Sequence, residues 1–475
     1  MTSLSYTNDK DSYADAGNAT GRHGSQVDRI IRAIAEAIVA GRLTPDQRLP
    51  SVRTTAADHG VSRDTVQRAY DKLVAGGHVH VRRGAGFYVS APAPSRADPI
   101  APPQVDLAPF QLIHPGLPPD RCPGSGVLRH DDSSVEEIGR VLKRVAGSRQ
   151  RLGSYGDPSG YLPLREELQK KLQIEGVDTT VSMIMTVPGC VAGLSLIIRS
   201  FVRHGDFVVV EDPASFAHVS ALLAQGAAIL RVPREPDGPD LDVLRLLCER
   251  YRPRMFLLMS LLHNPTGGSL SLSKARKLIE LAAEFDITLV DDASYADLKP
   301  STAGPPTVPL IVLDQVDRVI HVGGSSHILA PELGTGYIVA SERYMPMLRL
   351  YRPLQGMGNM LIQERVLYSF LHEGLFRRRC DRIRLRLAEE AAVVRQLFSS
   401  TPFQPAMAVG GMFLWVDLGS GVNVTAVAER MLAKGYLTAP GSHFRESKAV
   451  ESRMRFNVTT TTAAAVEALV ESVHN

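Results

Sequence analysis

Between Ala91 and Gln104 the chain reads APAPSRADPIAPPQ. Proline fixes φ and donates no amide hydrogen bond, so the stretch is expected to be an extended, semi-rigid spacer. At about 3 Å per residue it reaches roughly 40 Å. It divides the 475 residues into a short N-terminal part and a long C-terminal part, room for two or three domains in all. Its reach lets the first part swing relative to the second, or cross to a partner subunit.

Residues 1–23 are polar, rich in Ser, Thr, Asp, Asn and Gly, and are expected to be a disordered tail. The segment 24–90 is patterned. Val27, Ile30, Ile31, Ile34 and Ile38 fall at helical spacing up to Ala40. A turn, GRLTPDQRLPS, leads to a short helix over Ser51–His59. Gly60 breaks it, and Ser62 caps a second helix, SRDTVQRAYDKLVAGG. HVHVRRGAGFYVS then reads as two short strands about a turn. Helix, helix-turn-helix and two-stranded wing is the winged-helix order. From Gly21 to Arg96 there are 12 Lys/Arg against 6 Asp/Glu, a basic excess that suits nucleic acid. The second helix of such a motif enters the major groove N-terminus first. That places Ser62, Arg63, Thr65 and Gln67 at base edges, with Arg63 able to bond guanine twice. Arg53 before the turn, and Arg82 and Arg83 on the wing, are placed for phosphate or minor-groove contact. Any one of these arginines alone reads more readily as solvated surface; it is the whole ordered pattern that reads as DNA binding. The wording G-R-L-x-P-x-x-R-L-P-S-x-R, then G-V-S-R-x-T-V-x-R-A-Y, then G-x-G-x-Y-V, resembles the GntR regulators. The resemblance implies binding to double-stranded operator DNA.

From 105 to 475, strand-like runs (VVVED, MFLLMS, ITLVDD, RVIHVGG) alternate with helical stretches, as in a doubly wound sheet. Ligands bind at the strand ends of such sheets. GSYGDPSGYLPLREEL, HNPTGGSLS, DDASYADL, GGSSHILAPELGTGY and GGMFLWVDL resemble, in order, motifs of fold type I pyridoxal-phosphate (PLP) enzymes. With a GntR-type winged helix in front, the whole is similar to the MocR family. The fold class expected is therefore α/β: a winged helix-turn-helix plus a fold type I PLP-transferase-like domain with a mainly parallel sheet.

The resemblance assigns roles residue by residue. Asn264 and Tyr295 match groups at the cofactor's phenolic oxygen, and Asp292 matches the acid at its pyridine nitrogen. Arg455 matches the arginine that grips an α-carboxylate, and Tyr155 a tyrosine that reaches the phosphate across the dimer. Cys190 and Val191 stand in the phosphate-binding turn, and Ser326 precedes the lysine position. Other features depart from the pattern. His327 stands where the lysine should be, Gly324 where a serine should be, Gly334 where the phosphate arginine should be, and Ser215 where an aromatic ring should stack. An imidazole has no primary amine, so no Schiff base and no ordinary transamination is expected. Three readings of the retained set stand side by side: scaffold relics, a noncovalent small-molecule ligand, or noncovalent PLP or pyridoxamine phosphate (PMP). His327 is either a plain polar replacement or a base, as in PLP-fold sugar dehydratases that use PMP.

Four distant cysteines and isolated His263, His321 and His443 give no metal-like spacing. No signal peptide pattern and no transmembrane-length apolar run is present, so a cytoplasmic protein without a membrane partner is expected. The favoured function is a homodimeric transcriptional regulator that senses a small molecule bearing a carboxylate or phosphate. The alternatives are a PMP- or PLP-dependent enzyme with a DNA-binding appendage, and an aminotransferase-like domain that only dimerises.

Overall fold

The computed structural model describes residues 26–39, 42–75, 78–82, 85–90, 108–113, 116–147, 156–300, 307–356, 360–406, 410–445 and 451–474. The tail at 1–23, the spacer at 91–104, Arg83 and Tyr155 lie outside them. Two compact units divide after Pro102.

The first unit is α1 (Gln26–Val39), α2 (Val52–His59), α3 (Arg63–Ala75), β1 (Val79–Arg82) and β2 (Gly86–Val89). Its helix ends are set locally. Ser51 Oγ accepts from Thr54 N at 3.1 Å to start α2. Gly60 ends α2 in the left-handed region at φ 63°, where a side chain would be strained. Ser62 Oγ accepts from Thr65 N at 3.1 Å to start α3. The apolar faces close on a core of Ile30, Leu49, Val66, Tyr70, Leu73 and Val89. Tyr70 buries its ring there and satisfies its hydroxyl on Thr55 Oγ1 (2.8 Å) and Pro50 O (3.0 Å). β1 and β2 pair antiparallel, Val79 opposite Val89.

The second unit is built on an eight-stranded sheet. Its strands are β3 (Ile184–Val187), β4 (Phe207–Asp212), β5 (Ala228–Glu235), β6 (Gly238–Pro239), β7 (Met255–Leu258), β8 (Thr288–Asp292), β9 (Val319–Gly324) and β10 (Gly336–Val339), in the order β3-β10-β9-β8-β7-β4-β5-β6. From β9 to β5 neighbouring strands run parallel. β10 is antiparallel to both neighbours, and β6 is antiparallel to β5. Alternate residues face opposite cores: Val208 and Val210 belong to one, Val209 to the other. Both faces are covered by helices, which is why these strands read as continuous apolar runs. The helices are α4 (Asp132–Gly147), α5 (Leu162–Ile174), α6 (Cys190–Phe201), α7 (Phe216–Gln225), α8 (Leu241–Tyr251), α9 (Leu272–Glu284), α10 (Leu310–Asp314), α11 (Met345–Tyr351) and α12 (Leu361–His372).

The 25-residue α13 (Leu375–Ser399) leads to a second, four-stranded antiparallel sheet. It contains β11 (Gln404–Pro405), β12 (Phe413–Asp417), β13 (Ala439–Pro440) and β14 (Arg453–Asn457), and is backed by α14 (Val424–Ala433) and α15 (Ala463–His474). No helix among the described residues is long and apolar enough to cross a membrane.

Candidate functional site

In the first unit, the turn at Ser62 presents the start of α3 to solvent. Ser62, Arg63 and Gln67 are exposed and Thr65 is partly so. Ser62 and Thr65 spend their hydroxyls on each other (2.8 Å), and Gln67 bonds Asp71 (2.9 Å). Arg68 pairs with Asp64 at 2.7 Å, so Asp64 does not neutralise its neighbour. Arg63 and Arg53 are exposed and form no ion pair among the described residues. Arg82 lies over the Tyr88 ring (4.4 Å) and pairs with Asp46 (2.5 Å). Two cations are thus uncommitted and one is held back.

In the second unit, the ends of β8 and β9, the start of α6 and the face of the small sheet meet. Asp292 closes β8 and is buried. Its Oδ2 lies 2.7 Å from His218 Nε2, and its Oδ1 accepts from Ser294 N (3.0 Å) and Ser294 Oγ. Burial alone would raise its pKa, but these partners outweigh it and hold Asp292 below the usual carboxylate range. His218, on α7, was not singled out from the sequence, because it lies 74 residues from Asp292. Tyr295 follows at the turn after β8. Burial raises its phenol well above the usual range, against a hydrogen bond with Asn264.

The His327 ring stacks on Tyr295, centroids 4.6 Å apart and planes 25° apart. Its enclosure, helped by His130 and opposed by Asp292, pushes its pKa down to about 4. The ring is therefore neutral near pH 7. Its loop is clamped by Arg379 of α13, a fully buried side chain that donates to Ile328 O, Leu329 O (3.3 Å) and Ser134 O (3.1 Å). The sequence reading missed this clamp too.

Arg455 is fully buried on β14. It donates to Asn264 Oδ1 (2.8 Å) and Gly124 O (2.6 Å), and lies over the Phe413 and Phe444 rings at 4.4 and 5.0 Å. Its Nε has no partner, and no carboxylate pairs with it among the described residues. Burial lowers its pKa to about 10, so it stays charged. A buried cation with only neutral partners is costly unless an anion joins it.

At the turn expected to hold a phosphate, neighbouring side chains fill the space beside two glycines. Cys190 opens α6, and its Sγ fills the space that a Cβ on Gly324 would need. Burial pushes this thiol up to about 12, so it is neutral. Val191 in the same turn is exposed. Ser326 Oγ lies where a side chain at Gly334 would begin. Ser215, with no ring, starts α7, and Phe216 packs on Phe444 at 6.4 Å instead. Lys171, close enough to influence Tyr337 and His321, is ion-paired with Glu175 (2.8 Å) and Asp297 (3.1 Å). Burial works against its charge, but Asp297, Tyr337 and Glu175 prevail and hold it well above the usual lysine range. The donor set therefore fits a ring with a hydrogen-bonding periphery. It does not fit a covalently anchored coenzyme with a clamped phosphate. Among the described residues no cluster of His, Cys, Asp and Glu could hold a metal.

Residues 124–473 match the family described as aminotransferase class I and II, and residues 26–89 match bacterial regulatory proteins of the gntR family. Across both parts the chain is similar to YjiR of Escherichia coli strain K12, an uncharacterized HTH-type transcriptional regulator. The two are 26% identical over 444 residues, 89% of this chain and 93% of that one. The probable rhizopine catabolism regulatory protein MocR of Rhizobium meliloti is 28% identical over 378 residues, 75% of this chain and 73% of its own. Among solved structures, the multiple substrate aminotransferase of Thermococcus profundus has a TM-score of 0.68 at 25% identity, over 74% of this chain and 91% of that one. The chain belongs to the aminotransferase class I and II family, carried behind a gntR-family DNA-binding domain as in the HTH-type transcriptional regulators it resembles.

Proposed function

We propose that this protein is a cytoplasmic, homodimeric transcriptional regulator whose aminotransferase-like domain senses a carboxylate-bearing small molecule without forming a Schiff base. The observation that carries the sensing role is Arg455: a fully buried guanidinium whose partners are two neutral carbonyls and two aromatic rings. A ligand carboxylate supplies the missing charge in a site that excludes water. In this reading His327 stands at the lysine position and packs on Tyr295 as a neutral ring, with no catalytic role. Val191, Leu350 and Leu354 are exposed apolar side chains, and Gln355 donates to Ala192 O (3.0 Å), which ties their two segments together; this supports a dimer face there. Ser62, Arg63, Thr65 and Gln67 read bases, while Arg53 and Arg83 hold phosphates, with a smaller part for Arg82, which Asp46 already engages. Ligand binding acts by favouring one placement of the winged helices, which requires unequal affinity for the two states.

The test is a gel shift of the full chain on DNA upstream of its own and neighbouring genes, with and without a panel of amino acids and dicarboxylates. Expected are a specific shift at moderate salt and a change in affinity with one class of carboxylate. No shift on any such DNA removes the regulator reading. A shift that no metabolite alters leaves the domain a dimerisation scaffold.

The ring-facing set favours a second reading of the occupant. Asp292, Asn264 and Tyr295 keep the hydrogen-bonding periphery that suits a pyridine ring, so noncovalent PLP or PMP is its candidate. An absorbance spectrum of the purified protein before and after added PLP decides between them. A stable coenzyme band, with turnover lost in His327→Ala, would revive the enzyme.

A further inference from the structure

Asp46 stands in the turn before α2 with φ 63°, a left-handed conformation that few residues other than glycine adopt. The turn is fixed by its backbone. Asp46 N donates to Val89 O, Val89 N to Gln47 O and Leu49 N to Phe87 O, each at 2.9 Å, so the segment is laid along β2. Glycine would make the same bonds with less strain. What aspartate adds is a carboxylate turned onto the wing.

Its Oδ1 lies 2.5 Å from Arg82 Nη2 and 3.9 Å from His80 Nε2. His80 and Arg82 are two apart on β1, so they share one face of the wing. Tyr88, opposite His80 in register, belongs to that face too. Arg82 lies over the Tyr88 ring at 4.4 Å, and His80 stacks on it with centroids 6.0 Å apart. Arg48 is nearer to Asp46 in sequence, but its guanidinium runs beside Gly86 and forms no ion pair among the described residues. The carboxylate engages the wing cation instead, across 36 residues.

Cations bind the DNA backbone by neutralising phosphates and releasing counterions. A guanidinium already neutralised by Asp46 adds little to that, and the carboxylate itself repels a phosphate. Both partners are exposed, so the restraint is several-fold and not absolute. We propose that Asp46 is a positioning residue of the DNA-binding unit: it ties Arg82 to the wing and keeps affinity for the phosphate backbone below what the arginines alone would give. This rests on the regulator reading above, in which the winged helix binds DNA.

The experiment measures binding of the full-length protein to a random-sequence duplex by fluorescence anisotropy at several salt concentrations. Asp46→Asn removes the charge and keeps a residue that tolerates the left-handed turn. Asp46→Gly suits that φ outright and takes its place if the first variant misfolds. Expected is a gain in affinity of about two- to fivefold, with a salt slope steeper by about one. In an Arg82→Gln background the same change should give little or none of that gain, since the cation it frees is gone. An unchanged or weaker affinity, an unchanged salt slope, or an equal gain in both backgrounds overturns the proposal. Native protein that binds no duplex at low salt removes the regulator reading and this proposal with it. Native protein that binds while the Asp46 variants bind no tighter overturns this proposal alone.

Discussion

The imidazole of His327 lies flat against the phenol of Tyr295, 4.6 Å between centroids. The stacking covers one face of the His327 ring, which is otherwise half-buried. This arrangement explains its low proton affinity: enclosure disfavours the cation, and the nearby His130 adds to that.

A pH dependence of stability follows. His130, His321 and His327 each have a folded pKa of about 4, each chiefly through burial. Unfolded, they titrate near 6.5. Between those values these three rings bind more protons unfolded than folded, so their contribution to stability falls as pH drops from about 6.5 towards 4. That of the buried Asp291 carboxyl, raised to about 6, runs the other way. Each ring adds a slope of at most about 1.4 kcal/mol per pH unit. His327→Gln should flatten the dependence by up to about a third of this histidine contribution, measured by urea unfolding at several pH values. An unchanged slope would mean that His327 binds its proton as readily in the folded chain as in the unfolded one.

On the proposed reading, in which His327 stands at the lysine position, an amine placed there should not by itself bring coenzyme chemistry. His327→Lys supplies the nucleophile, but the phosphate end stays closed to repair: Cys190 occupies the space for a side chain at 324, and Ser326 that for a side chain at 334. Little or no borohydride-reducible PLP adduct is expected from His327→Lys alone. Adding Gly334→Arg with Ser326→Gly should increase it, because the collision is then relieved and one charge-assisted bond, worth about 1.5–3 kcal/mol, is regained. Adduct is scored by absorbance and mass after reduction. Full labelling of the single variant would show that the phosphate clamp is dispensable.

The sequence exposed some of this and hid the rest, for a physical reason. Winged-helix boundaries are written locally: Ser51, Gly60 and Ser62 set helix ends within three residues of themselves. The order of the motifs around Asn264, Asp292 and Arg455 was equally readable. Their environment was not, because it is made by distant partners. His218 meets Asp292 across 74 residues, and Arg379 reaches the carbonyls beyond His327 across about 50. The glycines at 324 and 334 likewise give no sign in the sequence that Cys190 and Ser326 fill the space beside them. Arg82 shows the same limit on the wing, where Asp46, 36 residues away, competes for it.

That competition separates the arginines in DNA binding. Arg63→Ala should cost about 1–3 kcal/mol on the operator and relax preference at one base pair. Arg53→Ala should weaken all sequences alike and reduce the salt slope by about one. Arg82→Ala should do less, since Asp46 already holds that cation. Gel shifts on operator and random DNA at three salt concentrations check all three. Equal losses on both DNAs for Arg63→Ala would remove it from base reading.

His218→Ala should be among the most damaging changes in the large domain. It strips a buried carboxylate of its main partner, for which about 3–5 kcal/mol is the usual loss. Asp292, held below the usual range in the native protein, contributes stability above its unfolded pKa that is lost as pH falls through its folded one. In His218→Ala that contribution should shrink or reverse. Asp292→Asn combined with His218→Ala should recover part of the loss, because no charge is then left buried alone. Chemical denaturation of the single and double variants measures it, and a double variant no more stable than His218→Ala would place the cost elsewhere.

Arg455 should show the opposite balance. Its guanidinium is fully buried, with neutral partners and no carboxylate among the described residues. Arg455→Met keeps the apolar contact with Phe413 and Phe444 and removes the desolvation cost, while Asn264 Oδ1 and Gly124 O each lose a donor. The gain and the loss are of similar size, since an unsatisfied buried acceptor costs about 1–3 kcal/mol and buried charges are often replaced at no net penalty. Thermal stability without ligand should therefore change little. Any shift in melting temperature or DNA affinity that a carboxylate causes in the native protein should vanish. A chain kept for fold alone would have little reason to hold this cation. If Arg455→Met responds to the same carboxylate at the same concentration as the native protein, the sensing site lies elsewhere.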